Sequence, residues 1–178
     1  MKKLFPFFIL VLLLLLGTVF ADETNGGENT QLVEKIQETL AFDSEGLSDA
    51  GIIELQKQKI ISELETIEQE YNDNPSTIPS LAISLFGDDT INVYLDGGYS
   101  FFVVFEEGKA VAAGEGIVDN ADIEVRIRDT VFQALNEGSF QTKEALQNGD
   151  IEYKGLTFLK KIQLGIISSI YNIASAGQ

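Results

Sequence analysis

Adjacent carboxylates at Asp88-Asp89 and Glu106-Glu107 have the residue type and closeness for acid–base work. Two carboxyl groups flanking one bond are what glycoside hydrolysis uses. Neighbouring residues on a strand point to opposite faces, however, and both pairs fall at turns, which predicts solvated turn acids instead. Gly114-Glu-Gly116 has the opening of a dinucleotide fingerprint, but it lacks the third glycine, opens no helix and lies between strands expected to be antiparallel. The chain contains no histidine and no cysteine. Zinc sites built on those ligands and histidine-based triads or dyads are therefore out of reach. No G-x-S-x-G elbow, P-loop or metal-ligand cluster occurs in it either. The expectation is a protein that is not an enzyme and uses no cofactor and no metal.

Apolar surface takes the place of reactive groups. Phe101-Phe-Val-Val-Phe105 is hydrophobic on both faces of a strand, so it is either covered twice or lines a cavity. Asp122-Ile-Glu-Val-Arg-Ile-Arg128 alternates, placing Ile123, Val125 and Ile127 on one face and charges on the other. In Leu156 to Ala174, Leu159, Ile162, Ile166, Ile170 and Ile173 mark one helical face. Leu156, Leu164, Ile167 and Tyr171 widen it until the segment is apolar nearly all round, which implies burial on two sides or contact with something greasy. The candidate cavity-lining residues are Phe102, Val104, Ile123, Val125, Ile127, Phe132, Leu135, Leu159, Ile162, Ile166 and Ile170. By pattern alone an ordinary core is the stronger reading of them, each worth about 1.5–3 kcal/mol on full burial.

The elements that would position them read as α+β. Gln31 to Phe42 looks like a short amphipathic helix, and Ser48 or Asp49 can cap the next one. That helix, Ala50 to Tyr71, carries Ile53, Ile60, Leu64 and Ile67 in a stripe with Lys57 in the same seam, until Asn72-Asp-Asn-Pro75 breaks it. Ile78 to Phe86 is apolar and of undetermined type. Ile91–Leu95, a turn at Asp96-Gly97-Gly98, Ser100–Phe105 and Lys109–Ala113 predict an antiparallel meander that continues to the strand at Asp122. Asp129 or Thr130 can cap a short helix with Val131, Phe132 and Leu135, ended by Gly138. Thr142 to Gln147 makes a second helix, stopped at Asn148-Gly149, and a fifth strand lies near Asp150 to Lys154. Gly155 and Gly165 flank the last segment as candidate hinges.

The stretch from Ala121 to Gly155, in particular D-I-E-V-R-I-R, D-x-x-F-x-x-L-x-x-G (Asp129, Phe132, Leu135, Gly138) and A-L-Q-N-G-D-I-E-Y-K-G (Ala145 to Gly155), resembles the sterol carrier protein type 2 family. The likeness extends plausibly from about Ile91 to the C-terminus and not into the first ninety residues. These are turn and packing residues, more specific for fold than for chemistry. The resemblance implies a five-stranded, antiparallel-rich, twisted sheet covered by helices, with an apolar tunnel between the layers. It also implies a non-catalytic carrier of a fatty acyl chain, sterol or isoprenoid lipid.

Lys2-Lys3, the apolar run Leu4–Leu16 and Val19-Phe-Ala21 read as an export signal. The competing reading is an uncleaved anchor: Leu4 to Ala21 is 18 residues, about 27 Å as helix against a hydrocarbon core of roughly 30 Å. Expected segments are 1–21 signal or anchor, 22–30 flexible tether, 31–86 helical N-terminal extension and 87–178 sterol-carrier-like domain. Twelve basic against 28 acidic residues give −16, and loss of Lys2 and Lys3 (12 to 10) gives −18. Such a body is repelled by phosphate backbones and anionic lipid surfaces, so nucleic acid is not an expected partner and membrane contact is transient unless the anchor is kept. The expected location is secreted or at the cell surface, and the absence of an Asn-x-Ser/Thr acceptor agrees with a prokaryotic source. The alternative function is an envelope interaction module with a collapsed cavity that self-associates through residues 50–71.

Overall fold

The computed structural model describes residues 46–73, 87–157 and 160–161. Helix α1 (Asp49–Ser62) begins where the Ser48 hydroxyl accepts the Gly51 N–H at 3.3 Å, so Ser48 is the cap. The expected single helix to Tyr71 is in fact two. Ser62 turns its hydroxyl onto the Lys59 carbonyl at 2.9 Å, and the Glu63 N–H closes a tight bond to the Ile60 carbonyl at 3.2 Å. These bonds draw the chain out of helical geometry at Glu63 (φ −118°), and it restarts as α2 (Leu64–Asp73).

Five strands follow: β1 (Thr90–Leu95), β2 (Ser100–Glu106), β3 (Lys109–Glu115), β4 (Ile123–Ile127) and β5 (Ile151–Gly155). Between the last two lie α3 (Asp129–Asn136) and α4 (Thr142–Gln147), ended by Gly138 (φ 70°) and Gly149 (φ 73°). Sheet order is β3-β2-β1-β4-β5, and three of its ladders are antiparallel. The predicted meander holds only as far as β3. After it the chain crosses over, and β4 lies parallel to β1, with Ile91 opposite Ile123 and Leu95 opposite Ile127. The buried Asn92 amide holds this crossover, donating to the Val118 carbonyl (2.8 Å) and accepting the Val118 N–H (3.0 Å). Nothing in the strand patterns encodes that pairing; it depends on a residue in a different strand.

Gly114 lies within β3, which runs beyond the expected Ala113. A Cβ there would stand 2.9 Å from the Phe102 ring, so the glycine makes room for that ring. Neither Asp129 nor Thr130 caps α3. Arg128 occupies the cap position without a side-chain bond, and the first helical N–H, that of Asp129, is taken at 3.1 Å by Asp96 from the β1–β2 turn.

Residues 1–45, Ile78 to Phe86 and nearly all of the C-terminal apolar segment lie outside the described residues, as do the readings made of them. Among the described residues, no helix is long and apolar enough to cross a membrane.

Candidate apolar site between sheet and helices

Alternation along each strand sorts side chains to two faces. One face is apolar at successive inward positions: Ile91, Val93 and Leu95 on β1, Phe101, Val103 and Phe105 on β2, and Ile123, Val125 and Ile127 on β4. The helices cover it with Val131, Phe132 and Leu135 from α3 and Ile53, Ile60 and Leu64 from α1 and α2, all within one cluster. The α1 stripe therefore faces the domain's own core. The result is an apolar layer with the sheet on one side and the helices on the other.

The structure divides the candidate lining residues. Ile123, Val125, Ile127, Phe132 and Leu135 meet in this layer, each no more than 3% exposed. Phe102 and Val104 lie on the opposite face, half-buried, because β2 sends Phe101, Val103 and Phe105 inward. Phe102 stands opposite Asn92 on β1 and Gly114 on β3. On that outer face Arg126 also lies over the Tyr94 ring, 5.6 Å from its centroid. Hydrophobicity on both sides of β2 thus reflects two separate surfaces. Leu159, Ile162, Ile166 and Ile170 are outside the described residues.

Both ends of the layer carry charge. At the β1–β2 turn, Lys57 is 3% exposed, with Nζ 3.0 Å from Asp129 Oδ1, 2.9 Å from the Asp96 carbonyl and 3.5 Å from Glu54 Oε2. It also lies 5.6 Å from the centre of the Tyr99 ring. The Tyr99 hydroxyl donates to Glu54, and that bond is the main cause holding the Glu54 carboxyl below its ordinary value; desolvation opposes it, and Lys57 and Gln58 assist it. Beside this cluster, Gln56 and Asn136 exchange amide bonds of 2.6 and 3.2 Å, tying α1 to α3.

The other end lies at the start of β1 and the close of β5. Asp88, Glu106 and Glu107 are exposed as expected, and Asp88 accepts the Glu107 N–H at 2.8 Å. Asp89 is not a solvated turn acid: it is 3% exposed and paired with Lys160 Nζ at 2.6 Å. Burial raises its carboxyl above the ordinary value against the pull of Lys160, and Asp122 and Asp88 push in the same direction as burial. The backbone of Lys160 and Lys161 sits so close to Gly155 that a Cβ there would be 2.7 Å away. Gly155 is thus a point of close contact between β5 and the backbone at Lys160-Lys161.

Sequence reading missed both charged clusters as units. Lys57 was visible as a cation inside an apolar seam, the signal of a buried partner; Asp89 carried no such mark, its partner being far along the chain. Among the described residues, no group of three or more His, Cys, Asp or Glu is arranged to hold a metal ion.

No protein-family model and no curated protein matches this sequence. Among solved structures, the chain is similar to sterol carrier protein 2 from Yarrowia lipolytica in its apo form, at 24% identity and TM-score 0.31, over 50% of this chain and 83% of that one. It is similar to palmitated SCP2L2 from Aedes aegypti at 17% identity and TM-score 0.37, over 58% and 92% of the two chains. A double mutant of the sec-alkyl sulfatase PisA1 is similar at 14% identity and TM-score 0.38, over 88% of this chain and 26% of that one. Structures similar to part of this α+β chain, with its five-stranded mixed sheet, are consistently sterol carrier protein 2 domains, the family that Ala121 to Gly155 resembles.

Proposed function

We propose that this domain holds an apolar ligand, such as a fatty acyl chain, sterol or isoprenoid lipid, between its sheet and its helices, without catalysis, and that it does so as an exported protein. The observation that carries the reading is the uninterrupted apolar inner face of β1, β2 and β4. The buried polar side chains Gln56, Lys57, Asp89 and Asn92 are each committed to a structural partner, which favours binding over chemistry. Export rests on the signal-like residues 1–21 alone.

Energetics set what such a protein must do. Burying a sixteen-carbon chain is worth up to ~13 kcal/mol against water at ~0.8 per methylene, but transfer from a membrane is nearly neutral because both environments are apolar. A carrier needs an enclosed space and no reactive group. A second reading, an interaction module with a collapsed cavity, is favoured by the mutual packing of Ile123, Val125, Phe132 and Leu135. Since Ile53, Ile60 and Leu64 serve the domain's own core, self-association through 50–71 would use the other side of α1, where Leu55 is 36% exposed.

Native mass spectrometry of the full chain, with lipid extraction from the same sample, tests the two. A co-purifying adduct of lipid mass, released on denaturation, is the expected result. An adduct-free protein that also takes up no added fatty acid or sterol would select the interaction module.

A further inference from the structure

We infer that the ligand of this site is uncharged, a sterol, long-chain alcohol, ester or isoprenoid rather than a fatty-acid anion, because the cations buried at the two ends of the apolar layer are already held by carboxylates. The inference rests on the lipid-binding reading above.

An anionic head group drawn into an apolar layer loses its water and needs a cation in exchange. Among the described side chains, Lys57 (3% exposed) is buried against the layer and Lys160 (15% exposed) is partly buried beside Asp89; Lys59 is half-buried on α1, and Lys109 and Lys161 are exposed. Lys57 faces Asp129, Glu54 and the Asp96 carbonyl; Lys160 faces Asp89. Asp88 and Asp122 add negative charge close to Asp89. Arg126, Arg128 and Lys154 are spent elsewhere, on the Tyr94 ring, Glu152 and Glu124 respectively.

The remainder of the sequence points the same way. Residues 74–86 and 162–178 contain no charged side chain, so neither segment can bring a further lysine or arginine to the layer. Residues 22–45 carry Lys35 against seven carboxylates. A carboxylate ligand would therefore enter a strongly acidic protein with no uncommitted buried cation to meet it, whereas a hydroxyl or ester needs at most a hydrogen bond.

The test is equilibrium binding to the delipidated full chain of two sixteen-carbon probes, hexadecanol and palmitate, each displacing a fluorescent sterol at a neutral pH. Hexadecanol should bind more tightly by on the order of tenfold or more, because the palmitate charge meets no uncommitted opposite charge in the layer. Palmitate binding as well as hexadecanol, or better, would overturn the inference and leave the lipid-binding reading intact. If neither probe nor the sterol binds, the lipid-binding reading itself falls and takes this inference with it. Asp89→Asn provides the check on cause: with Lys160 less neutralised, the ratio between the probes should narrow, and an unchanged ratio in the folded variant would refute the electrostatic origin.

Discussion

Asp89 is held beside Lys160 at one end of the layer, and burial lifts its carboxyl above the ordinary 3.8. Between 3.8 and the raised value the folded chain binds more protons than the unfolded chain, so this residue's contribution to stability is fully present below 3.8 and is lost as pH rises through the folded value. Glu54 behaves oppositely: the Tyr99 hydroxyl lowers it from 4.5, and its contribution is present above that pH and lost as pH falls through the folded value. Asp89→Asn should therefore gain stability relative to the parent as pH climbs from 3.8. Urea unfolding at several pH values measures this, and parallel profiles for the two proteins would contradict it. Sequence reading identified Asp88, Glu106 and Glu107 as exposed turn acids because turns are local. It misread Asp89, whose burial depends on Lys160 beyond the last strand.

At the scale of elements, two glycines show close approach of different kinds. At Gly155 an added Cβ meets backbone atoms of Lys160 and Lys161 at 2.7 Å; at Gly114 it meets the Phe102 ring at 2.9 Å. A ring can tilt, but backbone must move as a unit. Gly155→Ala should cost about 1–3 kcal/mol, with Gly114→Ala at the low end of that overpacking range or beneath it. Thermal or urea unfolding of the two variants checks the order, and equal losses would count against it. The N-cap residues of α3 and α4 make no side-chain cap bond, but the ends of these helices were legible because Gly138 and Asn148-Gly149 mark them in place. The break at Glu63 and the pairing of β4 with β1 were not, since one comes from a serine hydroxyl folding back and the other from Asn92 gripping Val118 across the sheet.

For the whole molecule, α1 and α2 supply Ile53, Ile60 and Leu64 to the same core as the strands. At about 1.5–3 kcal/mol each, their burial is comparable with the 5–15 kcal/mol by which a domain is stable. A chain beginning at Gly87 should accordingly lose cooperative unfolding, whereas one beginning at Gly46 should retain it; calorimetry distinguishes them, and a sharp transition in the shorter chain would show that the helices are dispensable. Five of the eleven candidate residues share the apolar inner layer. Ile123, Val125, Ile127, Phe132 and Leu135 belong to strongly periodic runs whose inward face is unambiguous. Phe102 and Val104 sit in a strand apolar on both sides, where period two cannot choose a face.

The parallel seam between β1 and β4 also governs how the chain can assemble. Strands β1 to β3 close on one another through short turns, whereas the β1–β4 partners stand 32 residues apart (91 to 123) and the β4–β5 partners 24 to 32 apart (127 to 151, 123 to 155). At the start of the β1–β4 ladder the Asp122 N–H donates to the Thr90 carbonyl at 2.7 Å and the Thr90 N–H to the Asp122 carboxylate at 3.1 Å. Loop-closure entropy must be met there before any contact repays it. Both long-range ladders therefore carry the larger closure cost, and the Asn92–Val118 bonds tie the crossover to β1 between them.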